Sequence, residues 1–134
     1  MKKDIQIPDA KGIRMAISYE HNKDFNCEDW NAYIINEREQ DIDLVLIVSK
    51  GVDKESGKKT SVLRKKIEKL PSKCFAKVEY IHPDLLELDC LYEVSFFEGN
   101  QLFEKKFCLK KNSINKTHLE YLELLDKKVI LINE

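Results

Sequence analysis

Short runs of alternating apolar and polar residues recur along most of this chain of 134 residues. Successive side chains of a β-strand point to opposite faces of the sheet, so alternation is typical of a strand with one buried face. The residues between the runs are rich in glycine, asparagine, aspartate and proline, which turns favour. The runs cover residues 13–19, 30–36, 43–49, 74–82, 88–98 and 102–109. This pattern predicts an all-β protein, mainly an antiparallel β-sandwich of immunoglobulin or fibronectin type.

Two further segments depart from simple alternation. In residues 60–70, Leu63 and Ile67 fit either helical spacing or one face of a strand, and the neighbouring strands favour a strand. Near the C-terminus, Thr117 and Glu120 match the capping box that begins a helix, and leucines follow at helical spacing. We therefore expect a short C-terminal helix after the strands.

The length favours a single domain over residues 1–134, with a core from about 10 to 112 and an appendage of helix and strand from about 113 to 134. Its longest apolar run, residues 44–48, is far shorter than the ~20 residues that span a membrane. The first residues lack the apolar centre of a signal peptide. We therefore expect a cytoplasmic protein that does not bind a membrane.

No motif in the sequence predicts a catalytic residue, a bound metal or a cofactor. The three histidines and four cysteines lack the short paired spacings of zinc sites and redox dithiols. We expect reduced cysteines, of which Cys74, Cys90 and Cys108 lie within predicted strands. Acidic neighbours raise the pKa of the Cys27 thiol and oppose its reactivity. The protein is therefore expected not to be an enzyme, and an enzyme with a site built from distant residues is the remaining minor hypothesis.

Charge is distributed unevenly along the chain. Residues 50–77 carry ten lysines and arginines against three acidic residues, whereas residues 78–100 carry six acidic residues and no lysine or arginine. Basic residues cluster in the polar loop 50–59 and in the segment after it. We predict an interaction surface there, formed by Lys50, Lys54, Lys58, Lys59, Arg64 and Lys66.

Two functions suit such a surface on a domain without a catalytic motif. The first is a protein-interaction module with an unidentified protein partner, because loops and sheet edges are the remaining places for function. The alternative is an RNA- or tRNA-associated accessory protein whose basic segment contacts phosphates. The segment lacks interleaved aromatic residues and the sequence pI is about 6.3, which favours the protein partner. The oligomeric state is left open.

Four stretches form a recognisable series: WNAYIIN at 30–36, VSKG leading to KTSVLR at 48–64, FAKVEYI at 75–81, and YEVSFFEGN at 92–100. Together they resemble a family of small uncharacterised bacterial cytoplasmic proteins, some labelled phenylalanyl-tRNA synthetase alpha subunit. The resemblance covers roughly residues 2–114. It implies an association with tRNA, but the motifs of a class II synthetase core are missing, so it implies no catalytic residue.

Overall fold

The computed structural model describes residues 10–53, 55–57, 62–111 and 113–134. Within these ranges the chain forms nine strands and two short 3-10 helices, Pro83–Glu87 and Lys116–His118, and no α-helix. The prediction of a mainly β protein is confirmed. The strands are β1 (Ile13–Asn22), β2 (Cys27–Asn36), β3 (Ile42–Val52), β4 (Leu63–Leu70), β5 (Cys74–Ile81), β6 (Asp89–Glu98), β7 (Gln101–Leu109), β8 (Glu120–Leu122) and β9 (Lys127–Leu131).

The strands are arranged in two antiparallel sheets. One has five strands in the order β5-β2-β1-β9-β8, and the other has four in the order β4-β3-β6-β7. Strands adjacent in sequence form the long hairpins. In the β6–β7 hairpin, Glu98 pairs with Gln101 across a two-residue turn, and Gly99 has the positive φ of 60° that such turns require. The ambiguous segment 60–70 contains strand β4, as the neighbouring strands predicted.

One hydrophobic core contains side chains from both sheets. Met15 and Ile34 come from the five-stranded sheet, and Ile47, Tyr92 and Phe96 come from the four-stranded sheet. The polar residues between them face outward, as the alternation predicted. Each fully buried side chain of this size contributes about 1.5–3 kcal/mol through removal from water. This shared core therefore holds the two sheets against each other.

A second, smaller apolar cluster covers the opposite face of the five-stranded sheet. Leu125, from the turn between β8 and β9, is 3% exposed and packs there. Its buried neighbours come from three strands of the sheet and are Ala16, Tyr33, Ile35 and Val129. Both faces of this sheet are therefore partly covered by apolar contacts.

The prediction of a C-terminal helix is wrong. Asn115, rather than Thr117, caps a 3-10 helix of only three residues, and strand β8 follows. Leu119 packs against the main core, whereas Leu122 and Leu125 pack in the second cluster on the other side of the sheet. The leucines therefore do not form the single apolar face that an amphipathic helix needs.

The end of the chain is paired with both sheets. Strand β9 pairs with β1, where Ile130 lies opposite Ile17. Beyond β9, the backbone oxygen of Asn133 accepts a hydrogen bond from the Cys108 backbone nitrogen on β7, at 2.8 Å. In the described part of the chain, no helix has the length and apolar character needed to cross a membrane.

Candidate functional site

Part of the predicted basic surface comes together on the four-stranded sheet. Arg64 and Lys66 lie on β4, opposite Val48 and Leu46 of β3. Lys50 lies two positions after Val48, so its side chain points to the same face. That face is the outer one, because the intervening residues of β3 point into the core. The five residues Leu46, Val48, Lys50, Arg64 and Lys66 are called the basic face below.

The predicted surface also includes three residues that fall outside the described ranges, Lys54, Lys58 and Lys59. Acidic residues accompany the described ones. The Lys50 Nζ lies 3.6 Å from Glu93 Oε1, and the Lys66 Nζ lies 4.0 Å from Glu68 Oε1. Exposed ion pairs of this kind contribute about 0–1 kcal/mol. The lysines are therefore only weakly held and can exchange their partners.

Strand β4 is an edge strand with an excess of positive charge. It pairs with β3 on one side and with no other described strand. Its eight residues include four lysines and arginines and one glutamate, and the side chains from Leu63 to Lys66 are exposed. A free edge presents unpaired backbone N–H and C=O groups to which another extended chain can add. The edge and the basic face therefore form one continuous basic surface.

The other edges are less accessible or less charged. At the edge of β7, Lys105 donates a 2.6 Å hydrogen bond to the Ala10 carbonyl and pairs with Glu134 at 2.7 Å. Asn133 pairs with the same edge. Strand β8 has three residues, and β5 carries one lysine and one glutamate. Among the described strands, β4 is thus the long edge with a strong net charge.

A β-bulge in β5 changes which side chains point inward. Tyr33 pairs with Lys77 but Ala32 pairs with Glu79, so Val78 is the extra residue. Simple alternation would turn Tyr80 inward together with Val78. Instead Tyr80 is 46% exposed, and Glu79 points toward the four-stranded sheet. The bulge thus places a carboxylate between the sheets.

Glu79 lines a cleft of about 260 Å³ between β3, β4 and β5. Ser49 Oγ donates a 3.0 Å hydrogen bond to one oxygen of its carboxylate, and Tyr92 OH donates a 3.0 Å bond to the other. Burial raises the pKa of Glu79 above its usual value, although both hydroxyls favour the charged form. The residues around this Glu79 cleft are Ser49, Lys50, Gly51, Leu63, Glu79, Tyr80, Leu85 and Cys90.

Two of the four thiols, those of Cys27 and Cys90, are unsuited to nucleophilic chemistry. All four cysteines are free. Burial, together with the nearby Glu79 and Asp89 carboxylates, raises the pKa of Cys90 to about 11. At exposed Cys27, desolvation and the Asp29 carboxylate raise the thiol pKa. Both thiols are therefore protonated at neutral pH. No group of three or more His, Cys, Asp or Glu side chains suited to a metal occurs within the described residues.

A second partly buried carboxylate lies on the outer face of the five-stranded sheet. Glu20 accepts hydrogen bonds from four side chains, at 2.5–2.9 Å: Ser18, Asn31, Tyr33 and Lys127. Burial by itself raises the pKa of Glu20, but these donors outweigh it and lower the pKa to about 2. Lys127 supplies the opposite charge at 2.5 Å. This group is internally satisfied and serves to join β1, β2 and β9.

Sequence reasoning missed both carboxylates. Glu79 and its partners Ser49 and Tyr92 come from three strands, and the bulge that turns Glu79 inward leaves no clear mark in the alternation. Glu20 and Lys127 lie 107 positions apart. A signal for Glu20 was its place on the same strand face as Ser18, which pairs with polar Asn31 in the β1–β2 hairpin. Such a run of polar residues on a covered face predicts a buried hydrogen-bond network.

Comparison with known proteins found no match to this chain among family models, curated sequences or solved structures.

Proposed function

We propose that this protein is a non-catalytic β-sandwich module of immunoglobulin type that binds another protein through the edge of β4 and the basic face. The observation that carries the proposal is the long, basic edge of β4, which pairs with no described strand other than β3. An extended acidic segment suits this surface, because its backbone can pair with the edge while its carboxylates meet the lysines and arginine.

The sandwich assignment rests on the shared core. Trp30 on β2 is 9% exposed and packs in this core, and a buried tryptophan between the sheets is also a feature of immunoglobulin-type domains. A domain of this type binds through its edges and loops, on a rigid scaffold. The fold type therefore supports the use of an edge strand.

The mixture of charges on the four-stranded sheet favours a protein over RNA. Glu93 lies opposite Val48, and Glu104 lies on the same outer face two strands from Leu46. Phosphates repel these carboxylates, whereas an acidic peptide along the β4 edge stays clear of them. RNA is the alternative ligand, and the resemblance to proteins labelled as a synthetase subunit motivates it. The experiment below distinguishes RNA from a protein partner.

The test uses a fluorescent ten-residue peptide of alternating valine and glutamate, and the same peptide with lysine in place of glutamate. The edge variant is K50E/R64E/K66E. The control variant K11E/K23E/K128E changes net charge equally at exposed residues away from β4. Three ion pairs of about 0.5 kcal/mol each correspond to roughly tenfold in affinity. We expect anisotropy to show about tenfold or more weaker binding of the acidic peptide by the edge variant, and no comparable change in the control.

Amide NMR shifts locate the contact, and binding of the acidic peptide should shift residues 63–70. Equal binding of the acidic and lysine peptides, or shifts confined to other strands, contradicts the proposal. Mixed tRNA is titrated in parallel at about 50 and 200 mM salt. Binding of tRNA that falls steeply with salt, without binding of the acidic peptide, makes the RNA alternative the better description.

A further inference from the structure

We propose that the Glu79 cleft is a binding site for an alkylammonium group, with the Glu79 carboxylate as its anionic anchor. The cleft borders the proposed peptide contact, since Lys50 and Leu63 line it, but its anchor Glu79 lies on β5 and points between the sheets. The inference therefore does not depend on the proposed function.

The carboxylate lacks a cationic partner among the described residues. No lysine, arginine or histidine in those ranges lies within 4.0 Å of Glu79, whereas Glu20 on the opposite face of the other sheet has Lys127. Lys50 lines the cleft, but its Nζ lies 3.6 Å from Glu93. A partly buried carboxylate without a counter-charge is unfavourable, so a bound cation stabilises it.

The hydrogen bonds leave Glu79 able to bind a donor. Each carboxylate oxygen accepts one hydroxyl hydrogen bond, from Ser49 or Tyr92, and a carboxylate has about four acceptor positions. Burial and the nearby Glu79 carboxylate raise the pKa of Tyr92, so its hydroxyl stays protonated and keeps its donor role. The two hydroxyls therefore orient the carboxylate without saturating it.

The walls suit a short alkyl chain ending in a charge. Leu63 and Leu85 supply apolar walls. Such a site favours a ligand whose carbon atoms contact the leucines while an ammonium hydrogen-bonds to Glu79. The same group occurs on small amines and on a lysine side chain, so both sources are tested.

The titratable groups facing Glu79 are Tyr92 and Cys90 from β6, whereas Lys50 of β3 lines the cleft but holds its ammonium beside Glu93 on the outer face. Raised pKa values keep Tyr92 and Cys90 neutral near pH 7. Ammonium binding should therefore strengthen as the pH rises and Glu79 loses its proton. The basic residues of β4 near the cleft oppose a cation, and about 0.15 M salt reduces that long-range repulsion.

The experiment follows amide NMR shifts during titration with n-butylammonium, with 1-butanol as the neutral ligand of the same shape. A ligand of five heavy atoms is expected to bind with a Kd of roughly 1–10 mM. E79Q should weaken butylammonium binding about tenfold and leave butanol unchanged, which corresponds to loss of one charge-assisted contact. The matched control E104Q removes an exposed carboxylate from the outer face of β7, away from the cleft, and should bind as the parent does. A blocked lysine, N-acetyl-lysine methylamide, shows whether a side chain can also enter.

A second readout needs no variant and remains decisive if E79Q fails to fold. Saturating butylammonium should lower the pKa of Glu79, measured from its carboxyl carbon shift, because binding and proton release are linked. Binding of the blocked lysine identifies a partner side chain as a possible source, and binding of butylammonium alone identifies a free amine. Equal affinity for butylammonium and butanol, or an unchanged pKa of Glu79, overturns the proposal.

Discussion

The side chain of Glu20 shows how a charged residue is accommodated on a largely covered sheet face. Its four donors come from β1, β2 and β9, so the carboxylate joins strands that meet only in the folded protein. The donors more than offset the unfavourable effect of burial and hold the pKa at about 2. Such a group stabilises the folded state only while it is ionised.

Replacement of Glu20 by glutamine should therefore lower the free energy of unfolding by about 1–2 kcal/mol at pH 7, because the charge-assisted bonds are weakened. This difference in unfolding free energy should shrink as the pH falls from 4.5 toward 2, where Glu20 of the parent protein also loses its charge. Urea unfolding at pH 7 and pH 3 measures both values. E28Q is the control, since Glu28 forms an exposed pair with His21. An equal loss at both pH values would contradict the electrostatic explanation.

At the scale of elements, the β8–β9 hairpin is a structural part of the five-stranded sheet. Val129 and Leu125 are 3% exposed, although the leucine spacing of this region predicted a helix. Pairing of β9 with β1 and burial of Leu125 on the sheet outweigh the local capping signal. Local propensity is a weak preference that tertiary contacts often override.

The importance of this hairpin can be measured with two chemically identical changes. L125A should lower the free energy of unfolding by about 2–4 kcal/mol, because it leaves a cavity in the second apolar cluster. L131A removes the same atoms from β9 at a side chain that is 43% exposed, and should change stability by less than about 0.5 kcal/mol. Equal effects in chemical denaturation would show that Leu125 is not buried in solution.

At the scale of the whole molecule, stability depends on pH through two carboxyls with opposite shifts. Glu20 has a lowered pKa, so its contribution is present above 4.5 and is lost as the pH falls toward 2. Glu79 has a raised pKa, so the folded protein holds that proton more tightly than the unfolded chain. Glu79 therefore contributes less favourably to stability as the pH rises above 4.5, which is the usual pKa of a glutamate.

E79Q should accordingly gain stability relative to the parent as the pH rises from 4 to 7, whereas E20Q should lose stability relative to the parent mainly as the pH rises from 2 to 4.5. Urea midpoints at several pH values, with unchanged slopes, report the two trends. Parallel curves for E79Q and the parent would mean that Glu79 titrates normally in the folded protein. The same E79Q measurements establish whether the variant is folded for the ammonium titration.

Much of the fold could be predicted from residue order because strand alternation is a local property. The six alternating runs and the segment 60–70 matched strands to within a few residues. The candidate surface was predictable in part, since Arg64 and Lys66 share a strand face and Lys50 joins them through the β3–β4 register. The register itself follows from which residues of both strands must enter the core.

The sequence by itself determined the strands, most turns and the excess of basic residues at β4, because these depend on neighbours within a few positions. Only the tertiary structure decided the order of strands in the sheets, the inward turn of Glu79 at a bulge, and the pairing of Glu20 with Lys127. It also decided the strand structure of residues 120–122 and the turn after it, where pairing and burial outweighed a helical pattern. Each of these depends on contacts between distant segments, whose energies exceed local preferences only once both segments are in place.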